Sequence, residues 1–329
     1  MSSLRVLSVL VALVGLPVHG RAETYPPLSH PLAIERVPGK DVFYSIGNPE
    51  IPSKGNEGNT SNAGYVMTSD GVVVFDALGT PSLAWALLND IRSRTDKAVR
   101  YVVVSHYHAD HIYGLQVFKD HTEAQIIAQE RAADYTENSE TSEERAGIRL
   151  DQRKSALSPW VNEKTRIVKP DRVFKDDLDI SIGGKDFSLI YAGPAHSSSD
   201  IMMLVEPDGV LFAGDIVQSG RIPFMNADDV STDRWLEALE RVRKLDPKFI
   251  IPGHGRPSTA AQEAISFTKD YITYIRTAMK KAVDDWVDFD TAYQATDWSR
   301  YINLPAFASN NRGNAYRVYL ELQSAQFAK

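Results

Sequence analysis

The segment Ser105-His106-Tyr107-His108-Ala109-Asp110-His111 puts three imidazoles and one carboxylate into six residues, directly after the apolar run Val99 to Val104. In an extended stretch alternate residues project to one side, so His106 and His108 form a pair. Asp110 and His111 lie beyond a turn and serve a neighbouring position. One loop can thus supply ligands to two metals. Three more groups of the same kind follow: His196 within Gly193-Pro194-Ala195-His196, Asp215 at the end of Leu211-Phe212-Ala213-Gly214, and His254 within Pro252-Gly253-His254-Gly255. A lone histidine beside a turn is usually structural; five in such settings are harder to explain that way. The chain has no cysteine, so the ligands are imidazole and carboxylate, a set that suits zinc and also iron or manganese. Two such ions about 3.5–4 Å apart share a bridging hydroxide formed at neutral pH.

These residues must be carried by strands and turns. Val42 to Ile46, Ala63 to Thr68, Val72 to Asp76, Val99 to Val104 and Ala124 to Ala128 read as strands. Thr80-Pro81 opens a helix whose apolar positions Leu83, Leu87, Leu88 and Ile91 fall at helical spacing. A short helix is expected over 112–118. Residues 130–165 are highly charged and predict one or two helices inserted between core strands. Such charge runs are usually solvated faces; a lid over the site is the sharper alternative. Strands follow at 178–182, 186–192, 200–206 and 209–214, with turns at Gly183-Gly184 and Pro207-Asp208-Gly209. Ser231-Thr232-Asp233 caps a helix, Phe249 to Ile251 is a buried strand, and helices are expected over 260–288 and 314–327. Strands then helix, twice over, predict two similar halves.

At 329 residues and 43% hydrophobic content the chain can bury a large core. Its formal net charge of -7 and lack of basic blocks argue against nucleic acid and anionic membrane as partners; the partner expected is a small-molecule substrate. Tyr107, Tyr113, Arg221, Phe224 and Met225 flank the ligand-bearing loops, and Arg221 could hold a carboxylate bidentately.

His106-x-His108-x-Asp110-His111, with His196, Asp215 and His254 in order downstream, resembles the metallo-β-lactamase fold superfamily over roughly residues 40–260. The resemblance implies an α/β fold, an αββα four-layer sandwich with metals at one edge between the sheets. It implies that His106, His108 and His196 bind a first metal, that Asp110, His111 and His254 bind a second, and that Asp215 bridges them. Asp76 matches the family's first motif, which ties the metal loop in place. The implied cofactor is two zinc ions per chain, with iron or manganese as alternatives. The implied activity is hydrolysis: a metal-bridging hydroxide attacks an ester, lactone, thioester or amide-type carbonyl, with Asp110 orienting it. Asp215 separates the pattern from class B β-lactamases and brings it nearer to glyoxalase II and lactonases. No glutathione-binding segment like that of glyoxalase II follows His254. A mononuclear iron persulfide dioxygenase, which shares these motifs, and a class B β-lactamase-like activity are the alternatives.

The first 22 residues read as a secretory signal: Arg5, then the largely apolar stretch Val6 to Val18, then Gly20-Arg21-Ala22 with small residues at the cleavage positions. The stretch is shorter than the roughly 20 apolar residues that span a bilayer, so no stable membrane insertion is expected. The remainder, 23–329, reads as a single domain, periplasmic or secreted from a bacterium, with the helical insertion and a helical C-terminal extension. N-terminal sequencing of protein recovered from its host should begin near Glu23; an intact Met1 would contradict this reading.

Overall fold

The computed structural model describes residues 25–132 and 140–327; the expected signal segment lies outside them. Twelve strands among these residues form two sheets. The first contains β1 (Ile34–Arg36), β2 (Val42–Ser45), β3 (Ala63–Met67), β4 (Val72–Phe75), β5 (Val99–Val103), β6 (Gln125–Gln129) and β7 (Arg172–Phe174), in that order. The second contains β8 (Leu178–Ile182), β9 (Lys185–Tyr191), β10 (Ile201–Glu206), β11 (Val210–Gln218) and β12 (Phe249–His254), ordered β12-β11-β10-β9-β8. The β1–β4 and β8–β11 pairings are antiparallel, with tight turns between β3 and β4, β8 and β9, and β10 and β11, and longer loops between β2 and β3 and between β9 and β10. Helical crossovers make β4–β7 and β11–β12 parallel.

Three apolar clusters give the chain its four layers. Val66, Val73, Phe75, Val103 and Ile127 from the first sheet meet Phe187, Leu189, Met203, Phe212 and Ile251 from the second. On the outer face of the first sheet, α1 (Pro81–Arg94) buries Leu83, Leu87, Leu88 and Ile91 together with α2 (Ala109–Ile112) and α3 (Leu115–His121). On the outer face of the second sheet lie α5 (Thr232–Leu245), α6 (Ala261–Asp284), α7 (Phe289–Ala295) and α8 (Phe307–Phe327). Helix α4 (Glu140–Leu157) stands between β6 and β7 in the chain. The αββα sandwich expected from the sequence is the architecture found.

Several boundaries differ. β1 and β7 are short, largely exposed edge strands, so no apolar run announces them. The helix expected over 112–118 is two helices, α2 and α3, separated at Gly114. A Cβ there would lie 1.8 Å from the Ala77 carbonyl oxygen, so the chain packs backbone on backbone at that point. β11 runs on to Gln218, past Asp215, through two register shifts around Gly214. Helix α8 begins at Phe307 rather than near 314, because Asn310, Asn311 and Asn314 are buried and partnered. Asn314 Nδ2 donates to the Pro223 carbonyl at 2.7 Å, and Tyr271 donates to Asn311 Oδ1 at 2.9 Å.

Phe212 is 1% exposed and its ring lies 5.3 Å from that of Phe75 across the two sheets. Phe212→Ala should therefore lower unfolding free energy by about 3–5 kcal/mol. Urea denaturation followed by circular dichroism checks this; a loss below about 1 kcal/mol would show that the two sheets do not depend on that contact.

Candidate metal centre

Asp76 follows β4 and adopts φ +62°, a left-handed conformation that costs a non-glycine residue energy. Its carboxylate repays that cost twice. The Ser105 amide donates to Oδ1 at 2.7 Å, and His111 Nδ1 lies 2.7 Å from Oδ2. The Ala77 amide also donates to the His111 carbonyl at 2.9 Å. The loop from Ser105 to His111 is therefore tied to the end of β4 at both of its ends. With Nδ1 held by Asp76, His111 turns Nε2 inward, 3.3 Å from Asp215 Oδ1.

The other rings are set in the same way. The Ser105 hydroxyl lies 2.9 Å from His106 Nδ1. His254 Nδ1 donates to the Thr60 carbonyl at 2.7 Å, which turns its Nε2 toward Asp110 Oδ2 at 3.5 Å and Asp215 Oδ2 at 3.2 Å. His196, on the turn after β9, brings Nε2 to 2.9 Å from His108 Nδ1 and 3.3 Å from Asp215 Oδ2. Gln218 donates to Asp215 Oδ2 at 3.2 Å. Gly253 has to be glycine, since a Cβ there would stand 2.0 Å from Asp215 Oδ1.

All seven residues singled out in the sequence thus converge, and their side chains form three overlapping groups. His106, His108 and His196 make one; Asp110, His111 and His254 make another; His106, His111 and Asp215 lie between them. Within each group the candidate ligand atoms lie within 4.8 Å of one another. Asp215 Oδ2 touches a histidine of each outer group, His196 and His254. Among the described residues, His106 Nε2, His111 Nε2 and Asp215 Oδ1 are enclosed with no hydrogen-bond partner. Enclosed lone pairs facing one another are unfavourable and become favourable around a cation. The residues fit a pair of divalent metal ions.

The charges on His106, His108 and Asp215 agree with this. Burial, reinforced by neighbouring histidines, pushes His106 and His108 well below the usual imidazole range, so both keep a neutral ring able to ligate. Burial also opposes charge on Asp215, but His254, His111 and His196 outweigh it and hold the carboxyl well below the usual range. His111 moves the other way: Asp76, Asp215 and Asp110 overcome its burial and push it well above the usual value.

The centre opens into a cleft of about 510 Å³. Asp110 is its more accessible carboxylate, with a side chain 17% exposed against 4% for Asp215. Arg149, Gln152, Arg153 and Ala156 line the cleft; at spacing i, i+3, i+4 and i+7 they form one face of α4. The excursion expected to be a solvated helix therefore turns that face to the site. Arg221, Phe224, Ile51, Ser309 and Asn310 contribute other walls. Tyr107 instead donates to Asp229 at 2.9 Å, and Tyr113 and Met225 are core residues.

The loop before β3 was missed as part of the site. Thr60 donates to Asp110 Oδ2 at 3.3 Å, Ser61 donates to the Asp110 carbonyl at 2.5 Å, and Asn62 donates to the carbonyls of Pro252 and Gly255. Its only signal was the run of hydrogen-bonding side chains Asn59-Thr60-Ser61-Asn62.

An αββα sandwich with a histidine- and aspartate-lined centre at its edge defines a class of metal-dependent hydrolases. Residues 57–254 match the model of the Metallo-beta-lactamase superfamily, and the chain belongs to that superfamily. A linear primary-alkylsulfatase of a Pseudomonas species is 24% identical over 240 residues, 64% of this chain and 45% of its own length. The structure of the sec-alkylsulfatase Pisa1 from Pseudomonas superposes with a TM-score of 0.67 at 15% identity, over 88% of this chain and 50% of that one. A metallo-beta-lactamase from Pontibacter korlensis gives 0.55 at 19% identity, over 74% of this chain and 99% of that one. The chain thus spans about half the length of the alkylsulfatases it matches.

Asp76→Ala should lower metal affinity by about 10–100-fold and leave the sandwich folded. Metal content after dialysis against a weak chelator reads this; full retention of metal would contradict the tethering role.

Proposed function

We propose that this protein is a secreted zinc-dependent hydrolase of small molecules that attacks an ester, lactone, thioester or amide-type carbonyl. The observation that carries the reading is the position of Asp215, whose Oδ2 lies 3.3 Å from His196 Nε2 and 3.2 Å from His254 Nε2 and so joins the two outer groups. His106, His108 and His196 would hold one ion, Asp110, His111 and His254 the second, with Asp215 between them. Zinc ions bound there supply a Lewis acid and a water of lowered pKa.

The chain's own residues do the rest. Asp110 lines the cleft and is the more exposed of the two carboxylates, so it is placed to orient the attacking water and to pass a proton to the leaving group. Thr60 and Ser61 hold Asp110 from behind. Phe224 is 39% exposed at the cleft, and with Ile51 and Pro52 it offers an apolar surface to the substrate's carbon chain. A sulfate ester is the second reading, supported by the alkylsulfatases among the similar proteins and by the arginines of the cleft. Secretion rests on residues 1–22 alone.

Metal analysis with a substrate panel tests the proposal. The purified protein should carry roughly two zinc per chain and hydrolyse at least one of 4-nitrophenyl acetate, a lactone, a thioester, nitrocefin or 4-nitrophenyl sulfate. Chelation should abolish turnover and zinc should restore it. Asp110→Ala and His108→Ala should each reduce kcat/KM by about 10²–10⁴-fold with unchanged circular dichroism. One iron per chain with oxygen consumption on a persulfide, or full turnover by metal-loaded Asp110→Ala, would refute it.

A further inference from the structure

Arg221 follows β11 and is 4% exposed. It lines the cleft, and its Nε is enclosed without a hydrogen-bond partner. Among the described residues no carboxylate lies within ion-pair distance of its guanidinium. Arginine does not shed its charge in a protein, and a buried, unpaired charge is strongly unfavourable. The position is also rigid. The Ile222 amide donates to the Pro305 carbonyl at 3.1 Å, the Met225 amide to Asn314 Oδ1 at 2.8 Å, and Asn314 Nδ2 to the Pro223 carbonyl at 2.7 Å. A guanidinium carried to a cleft by a loop held this firmly, with no hydrogen-bond or ion-pair partner of its own, is prepared for a planar oxyanion.

The surroundings agree. Asp110, Asp215 and Glu50 attract Arg221 at longer range, but none of them pairs with it directly, and divalent ions at the centre would neutralise the first two. Arg149 and Arg153 of α4 face the same cleft, and two further cations at its wall concentrate anions there.

We propose that Arg221 is the anchor for an anionic group of the substrate, a carboxylate or a sulfate, and that Arg149 and Arg153 draw that anion into the cleft. Phe224, Ile51 and Pro52 line the same cleft, so the substrate class is an anion joined to an apolar chain. This rests on the hydrolase reading above. The competing role for Arg221 is a structural counter-charge to the acidic ligands, which would act on metal retention rather than on substrate preference.

Three esters separate these roles: neutral 4-nitrophenyl acetate, the carboxylate-bearing mono-4-nitrophenyl glutarate, and 4-nitrophenyl sulfate. Wild type should favour an anionic ester over the neutral one by about 10–100-fold in kcat/KM. In Arg221→Gln that ratio should fall toward one with metal content retained, and Arg221→Lys should recover part of it. A collapse on the glutarate ester alone, mainly through KM, identifies a carboxylate remote from the reacting centre. A collapse on the sulfate alone identifies the reacting group itself. An unchanged ratio, or loss of metal with the ratio preserved, overturns the proposal. Calorimetry of zinc-loaded protein with inorganic sulfate and with glutarate gives an answer that does not depend on turnover. Wild type should bind at least one of them about tenfold or more tightly than Arg221→Gln; equal binding overturns the anchor. If no ester is hydrolysed while the calorimetric difference stands, the hydrolase reading fails and the anion site remains.

Discussion

Five imidazoles and two carboxylates occupy one buried volume, and the molecule is arranged to keep their lone pairs pointed at one another. Left to itself such a cluster would spread, since each polar group would find water or a backbone partner. Here one nitrogen of several rings is claimed from outside: His111 by Asp76, His254 by the Thr60 carbonyl, His106 by the Ser105 hydroxyl. The opposite nitrogen is thereby aimed at the centre. The strained backbone of Asp76, the glycine at 253 and the register shifts in β11 are local concessions to that one requirement.

The two sheets divide the work. The first sheet delivers the loop Ser105 to His111 from the end of β5, anchored by the residue after β4. The second delivers His196 from the turn after β9, Asp215 from within β11 and His254 from the end of β12. The centre therefore exists only when the sheets pack, and the apolar layer between them holds the two half-sites in register. Elements outside both sheets build the substrate side. Helix α4 contributes a polar, cationic face, and α8 pins the loop that carries Arg221.

The ligands were legible because their chemistry is rare and their spacing tight; three histidines and an aspartate in six residues have few other uses. The strands were legible where both faces are buried, as in Val72–Phe75 and Ile201–Glu206. Edge strands such as Ile34–Arg36 carry no such signal. The start of α8 was hidden because Asn310, Asn311 and Asn314 look unlike helix interior until their partners in distant segments are seen. Thr60 was invisible for the same reason, since its partner Asp110 is 50 positions away in the chain. Gln218 bonds Asp215 only 3 positions away and Arg149 lines the cleft from a helix inserted between β6 and β7, and composition alone singles out neither.

The central claim is that this cluster is a two-metal centre organised around Asp215. Anomalous diffraction at the zinc edge from crystals of zinc-loaded protein tests it most directly. The account predicts two peaks on either side of the Asp215 carboxylate, about 3.5–4 Å apart, one beside His106, His108 and His196 and the other beside Asp110, His111 and His254. A single peak, or peaks that leave Asp215 without contact to metal, would contradict it.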